Sequence, residues 1–410
     1  MSEPAPVYRP GETPGNANTP LRVFSLLTAV MTFALVWVGG LVTSHGAGMA
    51  VPDWPNTYGY NMFFFPISKW IGGIFYEHSH RLIASGVGLL TSILALWLFG
   101  YKSRNFLRVV GVVLLLAGIA AAIARPQRLS EDLLLAAIGL VGVVASFVWP
   151  RCEPSAKWLR TLGVIAFFAV VAQGVLGGLR VTEMKDELGI FHATLAQMFF
   201  CLVSAIALFQ TKFWKKLQPT NISSSVKTLY AITTVLVLAQ LVLGATMRHQ
   251  HAGLSIPDFP LAYGKVWPAT DAESVAHYNQ TRMVPEAYGF ITSAQIVLQM
   301  VHRIVALTIV VCVITCFVRT LRQFGWNNIL TRWTCGWLVL ICCQAFLGAA
   351  TIWTGKSADV ATAHVAFGAL CLLSGTFLTI VAFRMLAANA DQKVRAVPIK
   401  NNFGISHSTT

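Results

Sequence analysis

Two histidine-arginine pairs, His80-Arg81 and His302-Arg303, occur about half a chain apart within strongly apolar segments. An imidazole inside such a segment is costly unless something binds it, so each pair indicates a functional site. Two further histidines follow at matching places in later apolar segments. The candidate ligands are therefore His80, His192, His302 and His364.

These histidines are expected to bind haem iron in two pairs. Each half of the chain offers one histidine at the start of its second helix and one at the start of its fourth, which suits a planar ligand clamped inside a bundle. Imidazole is a common axial ligand of haem iron, and Arg81 or Arg303 can meet a propionate carboxylate. Zinc would need four ligands close together, which this pattern does not supply. We predict iron ligation by His80 with His192 and by His302 with His364.

A plainer explanation stays open for each of these residues taken alone. A histidine or arginine at a helix end can extend to the lipid headgroups without binding a cofactor. Four histidines in register favour the haem prediction over this alternative.

The two halves differ one helical turn before the histidine. Glu77 precedes His80 by three residues, whereas Gln299 precedes His302 by three, and both lie on the face of their histidine. A carboxylate in a partly apolar pocket can accept protons or stabilise developing positive charge. The sequence thus predicts a reactive first site with Glu77 as the catalytic residue, and a structural or electron-transfer second site. The alternative role for Glu77 is compensation of the helix dipole.

The composition predicts an all-α membrane protein. The 410 residues are 55% hydrophobic and only 11% charged, with a mean hydropathy of +0.64, and about 20 apolar residues suffice to cross a bilayer. Ten spans are predicted, at 21–43, 80–99, 106–124, 133–149, 159–179, 190–209, 226–247, 298–318, 333–353 and 361–385.

The net charge of +14 follows from membrane topology, because the basic residues gather in alternate loops. By the positive-inside rule both termini are cytoplasmic, and the four histidines fall at outer-facing helix starts. A bacterial inner membrane is the expected location, and nucleic acid is not an expected partner. The cysteines lie in helices or an inner loop, so apolar packing is expected and a disulfide in an outer loop is not.

The chain contains an internal repeat. Residues 48–55 match 253–260 at an offset of 205, and the histidines match in the same order. A hydrophobic hairpin at about 106–149 has no counterpart in the second half. We predict two tandem parallel-repeat four-helix bundles plus this inserted hairpin. The expected divisions are a tail at 1–20, a first repeat at 21–210, a linker at 211–225, a second repeat at 226–386 and a tail at 387–410.

Several other polar residues have expected roles outside ligation. Asp53 and Asp258 lie in the repeated loop, where turn formation explains them and catalysis is not predicted. His78 does not align with His302, so it is expected beside the site or in solvent. Solvated roles are expected for the outer-loop histidines His45, His249, His251 and His277.

Over residues 21–385 the chain resembles the haem A synthase family. The resemblance implies oxidation of a ring methyl group of haem O to a formyl group, by successive hydroxylations and loss of water. It implies haem O between the first histidine pair, with Glu77 at the reacting edge, and haem b between the second. The motifs that carry it are Glu77-x-x-His80-Arg81, His192, His302-Arg303 and His364.

The sequence departs from that family in two places. Some relatives carry a cysteine pair in the first outer loop, and here no cysteine lies between His45 and Glu77. The hairpin gives ten helices where the core family has eight. Expected partners are haem O, membrane lipids, a haem O synthase, terminal oxidase assembly factors and an unidentified redox partner, with a homo-oligomer left open.

Two other functions compete with this one. A two-haem b-type electron-transfer protein would keep both haems permanently, but would gain nothing from a carboxylate at one haem only. A transporter or haem chaperone would be expected to show broken helices or paired charges near the membrane midplane.

Overall fold

The computed structural model describes residues 19–217, 220, 222–281 and 289–395, with side chains described as far as 385. Residues 1–18 and 396–410 of the predicted tails lie outside the described residues. Within the described part the chain is helical, and ten helices are long and apolar enough to cross a membrane. The all-α membrane fold is therefore confirmed.

The ten long helices are numbered in chain order. They are α1 (Thr19–Ser44), α2 (Gly72–Leu98), α3 (Ser103–Ala124), α4 (Leu129–Val148), α5 (Lys157–Glu183), α6 (Asp186–Phe209), α7 (Ser224–His249), α8 (Ser293–Phe324), α9 (Ile329–Trp353) and α10 (Ala358–Arg395). Two short helices, Lys212–Lys216 and Ala272–Thr281, lie between them. Single 3₁₀ turns occur at Met62–Phe64, Ile67–Lys69, Gly100–Lys102, Pro126–Arg128 and Ala252–Leu254.

All ten predicted spans correspond to helices, but the helices that carry the first histidine of each pair begin earlier than predicted. Residues 72–79 of α2 and 293–297 of α8 mix apolar residues with polar ones, so hydropathy alone does not include them. Since α2 begins at Gly72, His80 lies about two turns inside it. His302 lies similarly deep in α8, which begins at Ser293. The expectation that these histidines mark helix starts was wrong.

The helices cluster into two compact units. Unit 1 extends to Lys215 and includes Lys356–Ala369, and unit 2 comprises Lys216–Gly355 and the chain from Leu370 onward. The predicted repeats assign all of α10 to the second half, whereas its first part clusters with unit 1. The predicted division into two complete repeats stays a prediction.

Unit 1 contains a closed ring of four helices. α1 packs on α2 and α6, and α5 packs on the same two helices. Their inner faces bury a core that includes Leu94, Ala166 and Val203. At the end of the ring where α1 begins and α6 ends, Gln210 Nε2 donates to Ser25 Oγ at 2.6 Å. This ring positions the helices that carry His80 and His192.

The inserted hairpin consists of α3 and α4 packed closely on each other. A Cβ atom at Gly118 would lie 2.4 Å from Ala136 N, and one at Gly139 would lie 2.2 Å from Leu115 N. Only glycine permits such a backbone approach, which is a common basis of helix pairing in membranes.

In unit 2, α8 packs on α7 and α9, and the later part of α10 is joined to this group by hydrogen bonds. Trp337 Nε1 of α9 donates to Cys371 O at 2.9 Å. Thr234 of α7 and Thr379 of α10 are linked through their hydroxyl groups at 3.1 Å.

Candidate functional site

The first loop, residues 48–60, forms a tight turn before α2. Tyr58 and Gly59 both have positive φ angles, of 49° and 76°, as a type I′ turn requires. The Asp53 carboxylate accepts hydrogen bonds from both of their backbone N–H groups at 2.8 Å. Burial alone would raise the pKa of Asp53, but these donors and the Arg81 charge hold it below its usual value of 3.8. The turn-forming role of Asp53 is confirmed.

Glu77 is buried, with 4% of its surface exposed, and it anchors the first loop to α2. Its Oε2 atom accepts a hydrogen bond from Val51 N at 2.8 Å. Its Oε1 atom accepts one from Arg81 Nη2 at 2.7 Å, one helical turn farther along α2. The carboxylate thus combines a backbone donor with a buried ion pair.

Arg81 binds the carbonyl groups of the first loop. Its Nη1 atom donates to Asp53 O at 2.7 Å and Asn56 O at 3.0 Å, and its Nη2 atom donates to Val51 O at 2.8 Å. Together with Glu77, these partners engage both terminal nitrogens of the guanidinium. The predicted role of Arg81 as a propionate partner stays a prediction, and the contacts present are to protein.

Unit 2 holds its second loop, residues 253–265, in a closely similar way. Gln299 Oε1 accepts a hydrogen bond from Ile256 N at 2.7 Å, and Ile256 matches Val51 in the repeat. Gln299 Nε2 donates to Ile256 O at 3.3 Å, the bond that Arg81 makes to Val51 O in unit 1. The amide therefore replaces both the carboxylate and one contact of its arginine.

The remaining contacts of the second loop also repeat those of the first. Arg303 donates to Asp258 O at 2.7 Å and Leu261 O at 2.9 Å. The Asp258 carboxylate accepts from Tyr263 N and Gly264 N, which confirms its turn-forming role. The loop is held without an ion pair to Gln299.

The His80 side chain lies between helices of unit 1. A Cβ atom at Gly39 of α1 would lie 3.2 Å from His80 Cε1, so the glycine makes room for the ring. His80 Nδ1 is buried and has no hydrogen-bond partner among the described residues. The ring lies close enough to His192, Arg180 and Arg81 for their charges to act on it. His80 and His192 therefore lie in the same region of unit 1, and their joint ligation of iron stays a prediction.

His192 and His302 also pack against glycines of a neighbouring helix. A Cβ atom at Gly177 of α5 would lie 3.2 Å from His192 Cε1, and one at Gly244 of α7 would lie 3.4 Å from His302 Cε1. Gly244 follows Gly39 by the repeat offset of 205. A glycine that leaves room for the imidazole ring is thus present in both units.

A glutamine fixes the helix that carries the histidine in each unit. Gln173 Nε2 donates to His192 O at 3.0 Å, and Gln240 Nε2 donates to His302 O at 2.9 Å. His364 lies on α10 in the stretch that clusters with unit 1, whereas His302 belongs to unit 2. The pairing of His302 with His364 stays a prediction.

Sequence reasoning missed Arg180, a half-buried residue near the end of α5. Its guanidinium lies within electrostatic reach of Glu77 and of His80. A Cβ atom at Gly48 would lie 2.8 Å from Arg180 Nη2, so the first loop passes directly over this group. A comparison of the two halves could have identified it, because the matching residue in the second half is Thr351, which carries no charge.

His78 is fully buried, which excludes the solvated alternative considered for it. Its Nδ1 atom lies 3.1 Å from Thr57 Oγ1 in the first loop, and its ring contacts those of Phe65 and Trp70. His45 is exposed and stacks on Tyr76, with ring centroids 4.2 Å apart. None of the eight cysteines, all of which lie in the described residues, forms a disulfide.

The residues at the first histidine pair fit a haem iron. Two imidazoles come from different helices of one ring, each beside a glycine that leaves room for it. At least His80 keeps a buried ring nitrogen with no protein partner. Buried polar atoms normally have partners, so this unpartnered Nδ1 atom is consistent with a bound group at the histidine pair.

Comparison with known proteins agrees with these features. The sequence profile of a family described as "Cytochrome oxidase assembly protein" matches residues 133–376. A heme A synthase of Geobacillus kaustophilus is 22% identical over 88% of this chain and 90% of its own length. A heme A synthase of Rhizorhabdus wittichii is 25% identical over 85% and 89%, respectively. A heme A synthase of Bacillus cereus is 25% identical over 51% and 61%.

Proposed function

The chain belongs to the cytochrome oxidase assembly protein family, and on this premise we propose that it oxidises haem O to haem A within a membrane. Relatives that cover most of its length are named heme A synthase. The observation that carries the proposal is the first histidine pair, His80 and His192, held between helices of unit 1 beside a carboxylate that unit 2 lacks.

The substrate site is assigned to unit 1. His80 and His192 hold the iron of haem O, and His80 offers a buried nitrogen without a protein partner. With water as the source of oxygen, oxidation of the ring methyl group to a formyl group releases four electrons and four protons, and the electrons pass to the proposed redox partner. An outer-facing site gives the substrate access without crossing the inner end of the bundle.

Glu77 is proposed to act at the reacting edge. Hydrogen bonds from the Val51 N–H group and Arg81 hold its carboxylate in place, so it supplies a charge at a fixed position one turn from His80. Such a charge stabilises positive charge that develops on the substrate during oxidation. The same carboxylate also holds the first loop in place, and this second role is shared by Gln299.

The second site is assigned to haem b, with His302 and His364 as iron ligands. When bound, haem b supplies reversible one-electron chemistry. Gln299 leaves this region without the negative charge that Glu77 brings to unit 1. We place both termini in the cytoplasm of a bacterial cell and the histidines toward the outer face of the inner membrane. Partners proposed from the family are a haem O synthase, oxidase assembly factors and a redox protein.

The proposal is tested by expressing the full chain in cells that make haem O but no haem A. Extracted haems are separated by chromatography and identified by mass. We expect haem A with the intact chain and none with His80→Ala, while the haem b content of the purified variant remains. Absence of haem A from cells with well-expressed intact protein would refute the proposed reaction.

A two-haem electron-transfer protein is the second candidate, and one observation favours it. Glu77 and Gln299 accept the same loop hydrogen bond, so the carboxylate has a structural explanation without catalysis. This candidate predicts two permanently bound b-type haems in the purified protein and no conversion of haem O. The same haem extraction distinguishes the two functions.

A further inference from the structure

Arg180 makes no hydrogen bond and no close ion pair with another residue that the structure describes, although the charges of Glu77 and Asp186 act on it. Arg81, by contrast, is occupied by Glu77 and by carbonyl groups of the first loop. An unmatched cation within a membrane bundle is costly, so a residue of this kind indicates a bound anion.

The position of Arg180 relates it to the histidine pair. It follows Gly177, the glycine beside His192, by three residues, and so lies about 4.5 Å farther toward the outer end of α5. Its charge reaches His80 as well. A planar ligand held by both histidines would therefore have Arg180 on its outer side.

The first loop closes over Arg180 at a glycine. A Cβ atom at Gly48 would lie 2.8 Å from Nη2 and 3.1 Å from Nη1, too close for any other residue without displacement. The matching glycine of the second loop, Gly253, has no such neighbour within 4 Å. An arginine covered by the loop is therefore found in unit 1 only, because the matching residue of unit 2 is Thr351.

We propose that Arg180, rather than Arg81, binds a carboxylate of the tetrapyrrole held by His80 and His192. This inference rests on the proposed function, because it needs a haem at that pair. A guanidinium binds a carboxylate through two parallel hydrogen bonds. Two protein carboxylates, Glu77 and Asp186, act on Arg180 by charge without a contact, and Glu77 is already paired with Arg81. Arg180 would thus fix the orientation of the substrate in its plane, as a positioning residue.

The test uses the purified full chain with its haem b in place. It is titrated with haem O and with the dimethyl ester of haem O, and binding is followed by the absorbance change. We expect the intact chain to bind the free acid at least about tenfold more tightly than the ester, as a charge-assisted hydrogen bond implies. Arg180→Gln should abolish this preference, and Arg180→Lys should restore part of it.

Arg81→Gln is the matched control. It releases the first loop, so it should weaken binding of the acid and the ester by a similar factor and preserve their ratio. If Arg180→Gln kept the full preference for the acid, the proposal would be overturned, and loss of the preference in Arg81→Gln would assign the carboxylate to Arg81 instead. If haem O binding did not depend on His80 at all, the proposed substrate site itself would fail, which is a separate result. Retention of haem b reports that each variant is folded.

Discussion

The first loop is anchored through a carboxylate in unit 1, and the second loop is anchored through an amide in unit 2. In both units a side-chain oxygen accepts a hydrogen bond from the matching backbone N–H group, at 2.8 Å from Val51 and 2.7 Å from Ile256. The carboxylate then requires Arg81 as a counter-ion, whereas Gln299 makes the next contact with its own NH₂ group.

This difference separates two roles that one residue can hold. The loop hydrogen bond needs only an oxygen acceptor, and glutamine supplies it. At this position the negative charge is present in unit 1 alone, and the guanidinium of Arg180 also has no counterpart in unit 2, where Thr351 matches it. Unit 1 therefore carries two charges near its histidines that unit 2 lacks, and both units keep the same loop hydrogen bond.

Removal of an iron ligand should have the largest effect, and it should affect one haem at a time. His302→Ala is expected to deplete haem b from the purified protein, because the second site loses an axial ligand. His80→Ala should leave that haem b in place. The absorbance spectrum of each variant measures its haem b content. A His302→Ala protein with its full haem b content would show that His302 is not a ligand of haem b.

Substitution of the loop anchors should separate the ion pair from the hydrogen bond. Glu77→Ala leaves Arg81 as a buried unpaired charge and should reduce stability by about 3 kcal/mol. Gln299→Ala leaves uncharged loop groups without their partner and should cost about 1–2 kcal/mol. Thermal unfolding in detergent measures both, and equal losses would show that the ion pair contributes nothing.

The glycines that face His80 and His302 should differ slightly in their tolerance of substitution. A Cβ atom at Gly39 would lie 3.2 Å from His80, whereas one at Gly244 would lie 3.4 Å from His302. Gly39→Ala should therefore weaken haem O binding by roughly fivefold, or about 1 kcal/mol of crowding. Gly244→Ala should leave haem b essentially unchanged. The reverse order in haem titrations would contradict the packing described for the two rings.

The smallest expected effect is a pH dependence of the first loop. The pKa of Asp53 is lowered in the folded protein, so its ionised carboxylate stabilises the folded loop. This stabilisation is fully present above the pKa of the unfolded chain and is lost as the pH falls through the pKa of the folded protein. Proteolysis of the first loop should accelerate below about pH 4, from the usual aspartate pKa. Asp53→Asn should remove most of this acceleration, and an unchanged pH profile would assign it to another group.

Spacing and hydropathy predicted the ten spans and the inserted hairpin, and they identified His80 and His192, which lie in the same unit. They could not predict what the first turns of the helices contact, because those partners lie in loops with little periodicity. The sequence shows that the two halves differ at Glu77. It could not predict the hydrogen bond of Glu77 to Val51, because that bond depends on the fold of the first loop. Arg180 was missed because its neighbours are distant in sequence.

The haem profile of Glu77→Gln tests most directly whether the charge that distinguishes unit 1 from unit 2 is needed for the reaction. Gln299 shows that glutamine can accept the loop hydrogen bond, so this variant removes the charge and keeps the acceptor. Cells supplied with haem O should then accumulate haem O or a hydroxylated intermediate, with haem b retained in the purified protein. Haem A at the level of the intact chain would contradict the claim that the charge in unit 1 serves the reaction.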